Sequence, residues 1–122
     1  MSLRTAVQHV LASADDVAAV EERDEAAKYR GCRAVADLAA RSRGTAAGVL
    51  RSVVLRPREG VPAVEAELYD GSGSVDLVWL GRRSIAGIEP GRRVKVEGMV
   101  CDVEGRRTMF NPRYELRPRA GE

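Results

Sequence analysis

The order of apolar and polar residues changes character near Gly44. Before this position apolar residues recur at helical spacing, and after it they alternate with polar residues as in a β-strand. The clearest strand is the segment VEAELY, residues 64–69. Because successive strand side chains point to opposite faces, its apolar residues are expected to face a core. They are Val64, Ala66 and Leu68. The outward face then carries Glu65, Glu67 and Tyr69.

This alternating half predicts five short strands. They cover Ala46–Leu55, Val64–Tyr69, Val75–Leu80, a strand through Val94, Val96 and Val100, and Thr108–Leu116. Turns are expected at Asp70–Gly73, Pro90-Gly91 and Asp102–Gly105, where glycine permits positive φ angles. Arg82–Gly87 is expected to form a short turn or helix after the third strand. Closing five strands into a barrel removes their exposed edges, so a mainly β barrel over residues 44–116 is predicted.

The first 43 residues predict a helical extension, and residues 117–122 a C-terminal tail. Leu3, Val7, Val10 and Leu11 indicate a first short helix. Ser13 resembles an N-cap for a second helix that includes Val17 and Val20, continues to Lys28 and ends near Gly31. Residues 1–43 hold seven basic and seven acidic side chains, a balance typical of a scaffold or docking element.

Composition narrows the class of protein. A chain of 122 residues suits one globular domain with an appendage, and its net charge of +2 lacks the strong field of a dedicated nucleic-acid binder. Cys32 and Cys101 form no metal-binding motif, which favours a reduced cytoplasmic protein, although neither has an assignable role. Gln8 and His9 interrupt the apolar centre that a signal peptide would need, and no apolar run is long enough to span a membrane.

Enzyme chemistry is not expected. His9 is the single histidine and lies far in sequence from both cysteines, which argues against a metal cage or a Cys-His pair. The carboxylates at residues 21–25 are typical of a solvated helix face. The Gly71–Ser74 segment lacks the lysine and following helix of a phosphate-binding loop. We therefore predict no catalytic residue, no cofactor and no metal.

Basic and aromatic residues indicate binding instead. Five arginines fall within residues 106–119, namely Arg106, Arg107, Arg113, Arg117 and Arg119. Phe110 and Tyr114 lie among them, and Arg82-Arg83 adds another basic pair. Arginines contact phosphates and exposed aromatic rings stack on bases, the two contacts that single-strand binding requires. Tyr69, Phe110 and Tyr114 are the candidate stacking residues, whereas Trp79 is expected to pack in the core.

Three segments resemble a known family. They read DGSGSVDLVWLG, EPGRRVKVEG and MFNPRYEL, and the resemblance covers roughly residues 44–116. They are similar to the oligonucleotide/oligosaccharide-binding (OB) fold, above all to the wedge domain of the branch-migration helicase RecG, which engages forked DNA. The chain lacks a Walker-type motif, so it resembles a free-standing barrel of the kind found in small actinobacterial proteins.

The resemblance implies a ligand groove between two loops. The loop at Arg56–Val61 and the loop at Asp102–Arg107 would border it, with Arg56, Arg58, Arg106 and Arg107 along its sides. Single-stranded or branched DNA, or RNA, would bind with low sequence specificity, in a role such as DNA repair or recombination. Arg82, Arg83 and Arg113 are further candidate phosphate contacts.

One feature of the pattern opposes this function. Glu65, Glu67 and Asp76 are expected to share the outward face of the second and third strands, where carboxylates would repel phosphates. The alternative is a protein-protein interaction or oligomerisation module that binds no nucleic acid and uses the N-terminal helices as its contact surface. The sequence leaves both open.

Overall fold

A computed structural model of the chain describes residues 16–26 and 31–118. The predicted helix at Leu3–Leu11 and the predicted N-cap at Ser13 lie outside these residues. Within them the protein is mainly β. Its six strands are β1 (Ser42–Leu55), β2 (Ala63–Tyr69), β3 (Ser74–Leu80), β4 (Arg93–Val103), β5 (Arg106–Phe110) and β6 (Arg113–Leu116).

Five of these strands form a closed ring. Their order is β1-β2-β3-β5-β4, and pairing between β1 and β4 closes the ring. The β3–β5 pair is parallel and the others are antiparallel. This order, with the predicted hairpins between β2 and β3 and between β4 and β5, gives an OB-like fold. The predicted mainly β class is confirmed.

The long strand β1 serves two neighbours. Residues 42–49 pair with β4 and residues 49–55 pair with β2, with a register shift between Leu50 and Ser52. Such a bulge bends a strand, which lets one chain segment turn from one partner to the other. Glycine is required just before the bend, since a Cβ at Gly48 would lie 2.3 Å from the backbone oxygen of Tyr69.

The predicted fifth strand needs correction. The predicted strand at Thr108–Leu116 is two strands, because the chain turns at Asn111, whose φ is 51°, and Pro112 has no N–H to extend a strand ladder. Asn111 also donates its backbone N–H to the oxygen of Val78 and accepts a hydrogen bond from the backbone of Leu80. The described strands therefore number six instead of five. The connection after β3, residues 81–92, contains turns and no helix.

The interior of the ring is apolar and follows the predicted alternation. Val64, Ala66 and Leu68 are buried, whereas Glu65, Glu67 and Tyr69 are only partly covered, as predicted. Trp79 is also in the core, with 5% of its surface exposed, and its indole N–H donates to the backbone oxygen of Pro112 at 3.1 Å. Other core residues are Leu50, Val75, Leu77, Val94, Val96, Val100 and Met109.

A short segment before β1 closes one end of the ring. Val35 begins a 3₁₀ turn (Val35–Asp37) and is fully buried, and Leu38 is buried beside it. Both belong to the region that the sequence assigned to the helical extension. The carboxylate of Asp70, which is 2% exposed, holds this segment by accepting the backbone N–H of Val35 at 2.8 Å. The core thus includes residues upstream of β1.

The predicted second helix is present over residues 16–26, here called α1. Glu22 on α1 accepts two hydrogen bonds from the guanidinium of Arg93, at 2.6 and 2.9 Å. A Cβ at Gly71 would lie 2.0 Å from the oxygen of Ala19, so the β2–β3 hairpin approaches α1 closely. Val17 and Val20 remain exposed on the helix. No helix among the described residues is long and apolar enough to cross a membrane.

Candidate nucleic-acid groove

A groove of about 420 Å³ crosses the outward face of β2 and β3. Two loops border it, residues 56–62 between β1 and β2 and the Glu104-Gly105 turn between β4 and β5. These are the loops that the family resemblance implied. The charged residues that line the groove are Arg56, Arg58, Glu65, Glu67, Asp76, Glu104 and Arg106.

Both borders are tight turns with a Glu-Gly pair at their central positions. In the first, Arg58 and Val61 exchange two backbone hydrogen bonds of 2.8 Å around Glu59 and Gly60. Both central residues have positive φ, 49° and 82°, as a type I′ turn requires. Glu104 and Gly105 repeat this pattern with φ of 52° and 81°. The groove is therefore bordered by hairpin turns with defined backbone geometry instead of long loops.

Strand register determines which residues meet on the floor. Glu67 on β2 pairs with Asp76 on β3, which pairs with Thr108 on β5. The neighbouring row joins Glu65, Val78 and Phe110. The outward carboxylates predicted from alternation are thus confirmed as the floor of the groove.

At one border, Arg106 is held by Asp76. Its Nε and Nη2 donate to the two carboxylate oxygens at 2.6 and 2.9 Å, although 60% of the arginine side chain is exposed. The hydrogen bonds and the charge of Asp76 raise the pKa of Arg106. The guanidinium is therefore oriented towards the groove and remains cationic.

At the other border, two arginines share Glu65. Arg58 donates its Nε to Glu65 Oε1 at 2.7 Å, and Nη1 of Arg56 lies 3.6 Å from Oε2. The Arg58 guanidinium also lies over the ring of Phe110, 5.7 Å from its centroid. A shallow hollow beside the groove is lined by Arg58, Glu59, Val61, Leu80 and Phe110. This hollow offers an apolar surface next to a cation.

Arg51 is a site residue that sequence reasoning missed. It lies at the β1 bulge, its guanidinium carbon is 3.5 Å from the centroid of the Tyr69 ring, and Nη1 is 3.9 Å from Glu67. Arg51 is the single charged residue of the Leu50–Leu55 segment, which was a usable signal. Its partner Tyr69, the predicted stacking residue, is covered by Arg51 on one face.

The remaining predicted residues lie outside the groove. Arg107 donates to the backbone oxygen of Ala36 at 3.0 Å and lines a small neighbouring hollow with Arg106. Arg82 and Arg83 lie in the β3–β4 connection, and Arg113 is exposed on β6. The structure therefore groups Arg56, Arg58 and Arg106 and separates them from these four arginines.

Tyr114 has a packing role. Its ring meets Trp79 edge to face, with centroids 5.8 Å apart, and its hydroxyl donates to the oxygen of Ala86 at 3.4 Å. It nevertheless stays 37% exposed. Like Arg113, it belongs to β6 and does not line the groove.

Neither a metal-binding cluster nor a disulfide is present among the described residues. The described residues contain no cluster of three or more histidine, cysteine or carboxylate side chains with metal-binding geometry, and His9 lies outside them. Within the same ranges Cys32 and Cys101 form no disulfide. Burial raises the pKa of the Cys32 thiol, against the opposing charges of Lys95 and Arg117.

Comparisons with known proteins give a structural likeness but no sequence relative. No family model matches the chain, and no curated protein matches it. One similar solved structure is a replication protein A heterotrimer bound to single-stranded DNA, with a TM-score of 0.49 and 18% sequence identity. The match covers 63% of this chain and 58% of that chain, so it spans less than two thirds of the other protein.

Proposed function

We propose that this protein binds single-stranded nucleic acid in the groove between its two hairpin turns. The observation that carries the proposal is the convergence of three groove-lining arginines, with a fourth, Arg51, next to the groove residue Glu67. Arg56 and Arg58 come from the β1–β2 loop, Arg106 from β5 and Arg51 from the β1 bulge. Two of them lie over aromatic rings, which places cations and stacking surfaces together.

The arginines can contact phosphates with N–H groups that their carboxylate partners leave unused. Ion pairs between exposed side chains contribute about 0–1 kcal/mol each, because water screens them and ordering costs entropy. Arg106 and Arg56 keep 60% and 68% of their side-chain surface exposed, so a phosphate can approach them while the carboxylates stay behind on the floor. Affinity should therefore be moderate and should fall steeply as salt rises.

The proposal also covers the form of the nucleic acid, the cellular role and the location. The resemblance of residues 44–116 to the wedge domain supports binding of branched DNA, and with it a role in repair or recombination. A cytoplasmic location is consistent with such a role. The proposal assigns a binding role to the groove and includes no catalytic step, cofactor or metal.

Fluorescence anisotropy tests the proposal directly. Labelled single-stranded, duplex and forked DNA and single-stranded RNA would be titrated at low and near-physiological salt. The double variant R58A/R106A should weaken binding and lower the slope of log affinity against log salt by about one for each arginine. The matched control is R82A/R83A, which removes the same charge outside the groove.

Each outcome bears on a separate part of the proposal. Equal losses in both double variants would mean that binding depends on net charge and not on this groove. No binding to any probe at low salt would refute nucleic-acid binding by this chain. Preference for the forked probe over the single strand would support the wedge-like role.

A second candidate function is self-association through α1. Val17 and Val20 on this helix are 55% and 45% exposed, although α1 is attached to the ring by the Glu22–Arg93 pair. Two copies of the helix could bury these valines against each other. Light scattering after size exclusion would show a nuclease-resistant dimer that the variant V17S/V20S converts to a monomer. A wild-type monomer at high concentration would refute this candidate.

A further inference from the structure

The carboxylates and the arginines of the groove lie at different depths. Carboxylates form its floor, with Glu65 and Glu67 on β2 and Asp76 on β3, and their side chains are 16%, 29% and 28% exposed. The arginines reach in from the borders and are more exposed, up to 68% for Arg56. A strand that lies in the groove therefore meets the exposed arginines, together with Glu104, at the sides and three carboxylates at the bottom.

This separation decides which part of a nucleic acid can face the floor. Two negative charges at close range repel, and the repulsion grows as water is excluded from between them. Phosphates are thus expected at the bordering arginines, and the bases are expected to point towards the floor. Unstacked bases in single strands present their Watson–Crick edges to protein groups in this way.

Among the floor carboxylates, Glu67 is the one with an open oxygen. Both oxygens of Asp76 accept hydrogen bonds from Arg106, and both oxygens of Glu65 lie within 3.6 Å of an arginine nitrogen. Oε1 of Glu67 accepts the hydroxyl of Ser74 at 3.0 Å. No hydrogen bond from the described residues reaches its Oε2.

We propose that Glu67 makes the groove selective for bases that carry amino groups, guanine above all. The inference rests on the proposed function and names the preferred ligand of the same groove. An ionised carboxylate only accepts hydrogen bonds. Guanine offers N1–H and an amino group side by side, which can bind the open Oε2 and the remaining lone pair of Oε1, whereas thymine and uracil offer a single N–H between two carbonyl oxygens.

Cytosine and adenine are intermediate cases. Each carries one amino group that a carboxylate can accept, next to a ring nitrogen that cannot donate. The expected order of affinity is therefore guanine above cytosine and adenine, and these above thymine and uracil. A bidentate base contact discriminates by roughly fivefold to 150-fold, and about tenfold is expected at this partly exposed site.

The experiment compares strands of equal length that differ only in their bases. An all-thymine strand, a strand of alternating thymine and guanine, and the same strand with inosine for guanine would be titrated under identical salt. Inosine keeps N1–H and lacks the amino group. The guanine strand should bind about tenfold more tightly than the thymine strand, with inosine between them.

Two glutamate variants locate the effect. E67Q keeps the shape of the side chain but replaces one acceptor by a donor, and it should abolish most of the guanine preference. E97Q removes the same charge from β4 outside the groove, where Glu97 pairs with Arg43 at 3.2 Å, and it should leave the preference intact. Thermal unfolding of both variants checks that the ring is unchanged.

The possible results separate the inference from the proposed function. Salt-sensitive binding with equal or tighter affinity for thymine would overturn the inference while leaving nucleic-acid binding in place. A guanine preference that persists in E67Q would overturn the assignment to Glu67. Absence of binding to every strand would remove the proposed function, and the base preference with it.

Discussion

Asp70 is expected to be the most stability-critical polar residue of the described chain. It directly follows β2 and is 2% exposed, and its carboxylate accepts four hydrogen bonds. Oδ2 receives the backbone N–H of Val35, and Oδ1 receives the backbone N–H groups of Ser72 and Gly73 and the Ser72 hydroxyl, at 2.6 to 3.2 Å. This one side chain therefore joins the β2–β3 hairpin to the 3₁₀ turn.

Replacement by alanine removes all four acceptor contacts. A hydrogen bond to a charged group contributes about 1.5–3 kcal/mol, and a buried donor without a partner costs about 1–3 kcal/mol. Ser72 and Gly73 are half-buried and can turn to water, whereas the Val35 segment is in the core. Adding the contributions of all four hydrogen bonds therefore overestimates the loss, and we expect D70A to lower the free energy of unfolding by about 3–5 kcal/mol.

The asparagine variant and a second aspartate calibrate this value. D70N keeps Oδ1 as an acceptor but places an amide against the N–H of Val35, so it should cost about 1–3 kcal/mol. Asp102 is exposed and accepts one hydrogen bond, from Gly105 at 2.8 Å. D102A should cost less than about 1 kcal/mol.

Urea unfolding followed by circular dichroism measures these differences. At equal m-values, shifts of the urea midpoint report the change in stability directly. In a separate thermal unfolding experiment, each 1 kcal/mol should lower Tm by roughly 4–8 °C in a domain of this size. If D70A proves no more destabilising than D102A, water replaces the lost contacts and Asp70 does not anchor the 3₁₀ turn.

Three further predictions concern the core and the thiols. G48A should destabilise the fold by about 1–3 kcal/mol in urea unfolding, because the new Cβ would lie 2.3 Å from the backbone oxygen of Tyr69; an unchanged midpoint would show that β1 can move away from β2. W79F should cost about 1–3 kcal/mol by the same measurement, since the buried oxygen of Pro112 loses its donor, and a neutral effect would contradict that hydrogen bond. The Cys32 thiol should ionise at higher pH than an exposed thiol, because its pKa is raised. The pH dependence of its alkylation, with the other cysteine replaced by serine, measures this shift. A pH profile like that of an exposed thiol would refute the prediction.

Structural features that depend on neighbouring residues in the sequence were predictable. Alternation in residues 64–69 identified the buried and outward faces of β2, because side chains of a strand alternate whatever it pairs with. Glycine identified the turns at Gly71 and Gly105, since positive φ angles favour it. The same local rules placed the carboxylates of the groove floor on one face.

Other features depend on which strands become neighbours. The bulge that places Arg51 over Tyr69 arises because β1 must serve two partners, and no local pattern announces it. The division at Asn111 follows from hydrogen bonds to β3, about thirty residues earlier in the chain. Asp70 looked like an ordinary turn residue, yet its burial comes from Val35 on a distant segment.

The sequence predicted the β class, the outward carboxylates and the turns, because these follow from the geometry of consecutive residues. The tertiary structure alone decided that Arg58 and Arg106 meet carboxylates of the groove floor while Arg82, Arg83 and Arg113 lie elsewhere. Arginine counts along a chain carry no information on this point. Charges pair through space, and strand register sets the distances that decide which pairs form.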